Sequence, residues 1–221
     1  MTEAEWLACV QPQHMVGLLS PEDEDLPSAL HGKASDRKSR LLACGLARRM
    51  WDRIELPSVC RAVEFAEQVA DGLVRKSERV IAEQLLHVSR TALKAINSGQ
   101  VGVKVHCAAL ASDSMFARQA AWTDSSLAAQ TKLKKQGVAV IIRDIFGNPF
   151  RPVAFAPAWR SDTAVSLARG MYDSRDFGAM PILADALQDA GCDNDDILSH
   201  CRGEEAHVCG CWVVDLVLGK E

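Results

Sequence analysis

Apolar residues recur every three to four positions through most of this sequence, a spacing that places them on one face of an α-helix. The clearest such stripe predicts a helix that begins at Ser35 or Asp36 and runs to about residue 54. Its inward positions are Leu41, Leu42, Leu46, Met50, Trp51 and Ile54. Helices of this kind owe most of their stability to the burial of one apolar face. The pattern therefore predicts a protein built from packed helices.

Other apolar stripes predict further helices along the chain. Thr2 and Glu5 have the spacing of a capping box, so a short helix is predicted over residues 2–10, and Pro12 is expected to end it. Asp193 is expected to cap a short helix near the C-terminus. The other helices are predicted at about residues 57–75, 77–97, 103–121, 125–146, 161–173, 180–190, 193–201 and 212–218.

Residues 144–152 separate the long Ala- and Leu-rich helices from a C-terminal part that is richer in aromatic residues, Pro, Cys and His. Gly147 can adopt the left-handed conformation that ends a helix, and Pro149 cannot continue one. Several prolines predict that residues 148–160 are extended and irregular. Three aromatic residues are expected to hold this segment on the core: Phe150, Phe155 and Trp159.

Together these predictions define an all-α fold, a multi-helix bundle of about eight helices. We expect an N-terminal helical bundle over residues 1–137 and a C-terminal helical module over residues 138–221. Because residues 138–146 are too apolar for an exposed linker, the two parts are expected to share one core. No apolar run approaches the roughly 20 residues that a membrane-spanning helix needs, and the first residues are acidic where a secretory signal is basic. A cytoplasmic protein without a membrane partner is therefore expected.

Charge raises the question of nucleic-acid binding. The 221 residues include 25 Lys and Arg against 29 Asp and Glu, and the net charge of -4 gives no overall attraction to nucleic acid. The polar face of the predicted 35–54 helix is nevertheless basic, with Arg37, Lys38, Arg40, Arg48, Arg49 and Arg53. One interpretation is a phosphate-facing helix. The other, which we favour, is a solvated face that pairs with acidic segments elsewhere, since no aromatic residues lie between the charges.

The C-terminal part contains a cluster of Cys and His residues within twenty positions: Cys192, His200, Cys201, His207, Cys209 and Cys211. Zinc and similar metals prefer thiolate and imidazole ligands, usually four in a tetrahedron. The predicted zinc ligands are Cys201, His207, Cys209 and Cys211, with Cys192 and His200 as substitutes. Two alternatives stay open. In the first, Cys192, Cys201 and Cys211 are small buried residues and the two histidines are hydrogen-bond donors at a helix end or in a loop. In the second, Cys209 and Cys211 form a strained redox pair that lacks the geometry of C-x-x-C.

Common catalytic motifs are missing from the sequence. It has no Gly-rich phosphate loop, no Gly-x-Ser-x-Gly and no His-Glu-x-x-His. Asp193, Asp195 and Asp196 lack the spacing of a calcium-binding EF-hand and are interpreted as negative charge at a helix N-terminus. We therefore expect no catalytic residue, and a non-enzymatic interaction or scaffold protein with a protein partner is the first hypothesis. A metal-binding module or metalloenzyme is the second, and nucleic-acid binding through residues 37–53 is the third.

Six short blocks of the sequence carry a resemblance to other proteins. They are MTEAEWLAC (1–9), GKASDRK (32–38), DIFGNPFRP (144–152), PILADALQDAGCDN (181–194), HCRG (200–203) and GCWVVDLVLGK (210–220). In these blocks the chain resembles a family of hypothetical proteins abundant in planctomycete-type bacteria. The resemblance implies one helical bacterial protein with a C-terminal module, and it implies no activity and no catalytic residue.

Overall fold

A computed structural model describes residues 1–19, 35–49, 51, 57–74 and 135–220. Within these ranges the backbone forms nine α-helices, one 3-10 turn and no strand, which confirms the predicted all-α fold. The helices are α1 (Glu3–Ala8), α2 (Pro12–Leu19), α3 (Asp36–Arg48), α4 (Pro57–Ala70), α5 (Lys135–Phe146), α6 (Asp162–Ser174), α7 (Met180–Asp189), α8 (Asp195–Arg202) and α9 (Trp212–Leu218). The predicted helices at 77–97 and 103–121, and the first part of that at 125–146, lie outside the described residues.

Short polar side chains begin several of these helices, as the sequence predicts. Thr2 accepts a hydrogen bond from the Glu5 backbone N–H at 3.3 Å, and the Glu5 carboxylate accepts one from the Thr2 backbone at 2.7 Å. The predicted capping box is therefore confirmed. The hydroxyls of Ser35 and Ser161 cap α3 and α6 in the same way, each at 3.2 Å from the third residue of its helix. Each cap satisfies a backbone donor that the helix itself leaves free.

Several boundaries differ from the predictions for identifiable reasons. The first helix ends at Ala8, and Pro12, which was predicted to end it, begins a second helix, because proline lacks only an N–H that the first turn does not use. The helix predicted to run to about residue 54 ends at Arg48, ahead of Pro57, which begins α4. Asn194 rather than Asp193 caps α8, with its Oδ1 accepting from the Ile197 N–H at 3.1 Å.

Buried side chains form two main clusters in the described part of the chain. The N-terminal core consists of Trp6, Met15, Leu18, Leu19, Leu42, Leu46, Val138, Ala139, Ile141, Ile142, Ile145 and Val208. The C-terminal core is built from α6, α7, α8 and α9, with Met171, Leu183, Leu187, Ile197 and Val214 among its members. The boundary predicted at residue 137 falls just inside α5, whose buried residues pack with α1, α2 and α3. No helix in the described ranges has the length and apolar character needed to cross a membrane.

The chain leaves α5 through the predicted irregular segment. Gly147 has a φ of +65°, the left-handed conformation predicted for it. Asn148 then donates a hydrogen bond to the Glu3 carboxylate at 2.7 Å. Phe155 and Trp159 meet edge to face with ring centroids 5.4 Å apart, and a 3-10 turn spans Pro157–Trp159. The segment is therefore held by specific contacts at both of its ends.

Acidic partners occupy part of the basic face of α3. The Arg37 guanidinium bonds Asp215 at 2.6 Å and Asp71 at 3.1 Å. The Arg48 guanidinium makes two 2.8 Å bonds to the Glu67 carboxylate. These two arginines thus connect α3 to α4 and to α9 instead of facing solvent together.

Candidate metal centre

Four polar side chains, from α5, from α8, from the following loop and from the residue before α9, meet between α5 and the C-terminal helices. Asp144 lies in the last turn of α5, between the buried residues Ile142 and Ile145. His200 lies in the last turn of α8, and Cys211 is the residue that precedes α9. His207 belongs to the loop that joins these two helices. One donor atom from each of the four residues lies within 4.8 Å of the others.

The individual separations are close to those of a tetrahedral metal site. His200 Nε2 lies 3.2 Å from Asp144 Oδ1 and 3.3 Å from Cys211 Sγ. His207 Nδ1 lies 3.9 Å from Cys211 Sγ and 2.7 Å from Asp144 Oδ1. Adjacent ligands around a tetrahedral zinc ion are about 3.3–3.8 Å apart, given metal–ligand bonds of about 2.0–2.3 Å. Among these four separations the Asp144–His207 one, a hydrogen-bond distance, would have to lengthen most, and the two remaining pairs of donor atoms lie within 4.8 Å.

The four groups are shielded from solvent to different degrees. The side chains of Asp144 and His207 are 2% and 5% exposed, and Cys211 is fully buried. His200 is 17% exposed and provides the part of the site nearest to solvent. Such burial excludes water as the ordinary partner of these groups, so each must be satisfied by another group of the protein or by an ion.

Burial and hydrogen bonds act in opposite directions on the carboxylate. Burial by itself raises the pKa of Asp144, but hydrogen bonds from His200 and His207 outweigh that effect and hold its pKa below the usual range. Asp144 is therefore ionised at neutral pH. For Cys211 burial dominates, and together with the nearby Asp144 charge it raises the pKa of the thiol well above its ordinary value. The protein alone thus favours a carboxylate and a protonated thiol at this site.

One ring atom in the site has no partner. Nε2 of His207 is buried and makes no hydrogen bond in the described structure. The ring is held instead through Nδ1 and by aromatic neighbours, with the His200 ring 4.9 Å away and the Phe177 ring 6.4 Å away between centroids. An imidazole nitrogen left unpaired in the interior is uncommon.

Glycines allow the surrounding elements to approach the site closely. A Cβ atom on Gly147 would lie 3.2 Å from the Trp212 ring, and that ring packs against His200 with centroids 5.2 Å apart. Gly210 has a φ of +94°, and a Cβ there would lie 3.0 Å from Leu41. A larger residue at position 147 would push α9 away from the end of α5, and one at position 210 would push the loop away from α3. The sequence thus keeps the donors of α5 and of the C-terminal helices within reach of one another.

The structure brings together some of the predicted ligands and separates others. His207 and Cys211 are in the group, as is His200, which the sequence offered only as a substitute. Cys201 and Cys192 lie instead in the C-terminal core, since the residue after His200 on a helix points about 100° away from it. Cys209 turns towards α6, where its thiol lies 3.7 Å from the Tyr172 carbonyl.

Asp144 is the member of the group that the sequence analysis did not identify. Its three partners are more than fifty residues away in the chain, so spacing gave no indication of the contact. A signal was present in the apolar run 138–146, where a carboxylate stands between isoleucines on the buried side of α5. A charged residue in such a position has to be paired when it is buried.

Cys209 and Cys211, the alternative redox pair, are free thiols that face different neighbours in the structure. The thiol of Cys209 faces Tyr172, and that of Cys211 faces His200.

Comparisons of the chain with protein-family models, with curated proteins and with solved structures gave no match. The candidate centre is therefore argued from its own geometry.

Proposed function

We propose that this protein is a non-enzymatic helical protein whose two cores are joined by one zinc-type ion bound to Asp144, His200, His207 and Cys211. The observation that carries the proposal is the convergence of four donor atoms within 4.8 Å of one another in a buried position. The donors come from α5, from α8, from the following loop and from the start of α9. An ion bound there would connect all four.

The donor types favour zinc over the more abundant divalent cations. One thiolate, two imidazoles and one carboxylate form a mixed soft and borderline set, which suits Zn²⁺ and its close relatives. Calcium and magnesium instead prefer six or more oxygen ligands, and the group offers a single carboxylate. A thiolate also stays bound to zinc without the redox reactions that copper or iron would allow.

A structural role fits the geometry better than a catalytic one. Catalytic zinc sites usually have three protein ligands and an open position for water or substrate, whereas structural sites are closed by four. Four protein donors converge here, and three of the four side chains are at least nine-tenths buried. The proposed ion would thus hold α5 against α8 and α9, and the helical surface outside it would serve for contacts with other proteins.

Zinc content tests this proposal directly. The full chain would be purified without chelator, incubated with a small excess of zinc, separated from free metal, and analysed for metal per polypeptide. We expect one equivalent that a tenfold excess of Mg²⁺ or Ca²⁺ does not displace. Less than a tenth of an equivalent would contradict the proposal. Substituting Co²⁺ gives a second readout, because a tetrahedral site with a thiolate ligand absorbs visible light much more strongly than a six-oxygen site.

A further inference from the structure

Val208 lies beside the candidate centre in the sequence, but its side chain belongs to a different part of the molecule. Its neighbour His207 and the nearby Cys211 both belong to the centre, and Cys211 is buried in the C-terminal core. Val208, by contrast, is a buried member of the N-terminal core. The loop before α9 therefore delivers one apolar side chain from the C-terminal helices into the N-terminal core.

The Val208 side chain fills a position that α3 leaves open. A Cβ atom on Gly45 of α3 would lie 3.1 Å from Cγ2 of Val208 and 3.5 Å from Cγ2 of Ile141 on α5. Val208 therefore packs where α3 and α5 come close together. The neighbouring Gly210 brings the loop backbone equally close to Leu41 of α3. The absence of side chains at both glycines permits this approach.

Asp144 connects this apolar contact to the candidate centre. Its Oδ1 atom faces His200 and His207, while its Oδ2 atom accepts a hydrogen bond from the Val208 backbone N–H at 2.9 Å. The same carboxylate therefore contributes to the metal site and holds the residue that enters the N-terminal core. A movement of the Asp144 carboxylate at the metal site therefore directly moves the acceptor of the Val208 hydrogen bond.

We propose that zinc binding seats Val208 between α3 and α5, so that metal occupancy controls the packing of the N-terminal core. This inference rests on the proposed function. The ion would fix His207, directly before Val208, and Cys211, three positions after it. Fixing both residues removes conformational freedom that otherwise opposes ordering of the loop. Any interaction made only by the ordered state shifts the equilibrium towards that state.

Hydrogen exchange of the full chain, with zinc and after its removal, tests the coupling. The diagnostic amides are those of α3 and α5, with α7, which contributes no ligand, as the internal comparison. We expect at least about tenfold slower exchange in α3 and α5 with zinc bound, the scale set by burying one valine side chain. Zinc bound at one equivalent with unchanged exchange in α3 and α5 would overturn this inference and leave the proposed function standing. Absence of zinc binding would overturn both.

Two valine truncations make the test independent of whether the zinc-free chain stays folded. Val208→Ala truncates the side chain that enters the N-terminal core, and Val217→Ala truncates a buried valine of the C-terminal core on α9. In the zinc-loaded proteins we expect Val208→Ala to bind one zinc and to speed exchange in α3 and α5 about tenfold. Val217→Ala should bind zinc and leave exchange in those two helices within about twofold of the unmodified chain. Equal effects of the two variants on α3 and α5 would contradict the proposed role of Val208.

Discussion

Nδ1 of His207 lies 2.7 Å from Oδ1 of Asp144, although the two residues are 63 positions apart in the chain. The contact joins a helix of the N-terminal core to the loop before the last helix. A neutral or charged imidazole can donate there to the carboxylate, and a metal ion can replace that proton.

The ligand set from the structure contains one thiol, Cys211, whereas the set predicted from the sequence contains Cys201, Cys209 and Cys211. Cys211→Ser should weaken zinc binding by at least about 100-fold, because it removes the only thiolate of the group. Cys209→Ser is the matched control and should leave affinity within about threefold, since its thiol faces Tyr172. Competition with a chromophoric chelator measures both affinities. Equal losses in the two variants would favour the ligand set predicted from the sequence.

Zinc affinity should rise with pH. The thiol of Cys211 must lose its proton to bind the ion, and burial raises the pKa of that thiol well above its ordinary value. Below that pKa, each zinc bound releases a proton, so affinity should increase about tenfold for each pH unit between 6 and 8. Calorimetric titration in buffers of different ionisation enthalpy counts the released protons. An affinity that does not change over this range would count against a thiolate ligand.

Asp144 should make the zinc-free protein less stable in acid. Its pKa in the folded chain is lowered, so its contribution is fully present above the unfolded value of about 3.9 and is lost as pH falls through the lower folded value. Urea unfolding of the zinc-free chain between pH 2.5 and 6, with Asp144→Asn as comparison, measures this. The stability difference between the two proteins should shrink as the pH falls below about 4. A difference that stays constant would show that the carboxylate charge does not stabilise the fold.

Two glycine substitutions isolate the close contact between the loop and α3. Gly210→Ala should destabilise the fold by about 2–4 kcal/mol, because it combines a left-handed backbone with a Cβ only 3.0 Å from Leu41. Gly191→Ala shares the positive φ but meets nothing within 4 Å, so it should cost only about 1 kcal/mol. Thermal or urea unfolding of the zinc-loaded proteins compares the two. Similar losses would mean that the contact with Leu41 relaxes freely.

Arg37 should be important for stability. Arg37→Ala leaves the buried carboxylates of Asp71 and Asp215 without their shared guanidinium, and a loss of about 3 kcal/mol is expected. The exposed Arg169 on α6 serves as control, and Arg169→Ala should change stability by less than about 0.5 kcal/mol. Urea unfolding at neutral pH measures both. Equal stabilities of the two variants would indicate that Arg37 belongs to a solvated basic face, as the sequence suggested.

Local signals in the sequence predicted the fold well, because caps and apolar stripes act within a few residues of each other. Thr2 caps α1 as predicted, Ser35 caps α3 as one of its two predicted candidates, and Gly147 ends α5. The second helix was not predicted, because Pro12 is compatible both with the end of one helix and with the start of the next. The division into parts at residue 137 and the sharing of one core remain predictions.

The candidate centre was only partly predictable, because proximity in sequence is a poor guide to proximity in space. The cluster from Cys192 to Cys211 included three of the four residues that the structure groups together, His200, His207 and Cys211. It could not show that helical rotation turns Cys201 into the C-terminal core or that Asp144 arrives from α5. Those two facts depend on how the helices pack, which no single sequence segment specifies.

X-ray absorption at the zinc edge of the loaded protein distinguishes the proposed ligand set from the alternatives, because it counts the sulfur atoms bound to the ion. The account predicts one sulfur at about 2.3 Å and three nitrogen or oxygen neighbours at about 2.0–2.2 Å, with multiple scattering from two imidazoles. Two or more sulfurs, as expected for Cys201, Cys209 and Cys211 together, would contradict it. So would a shell of six oxygens without sulfur.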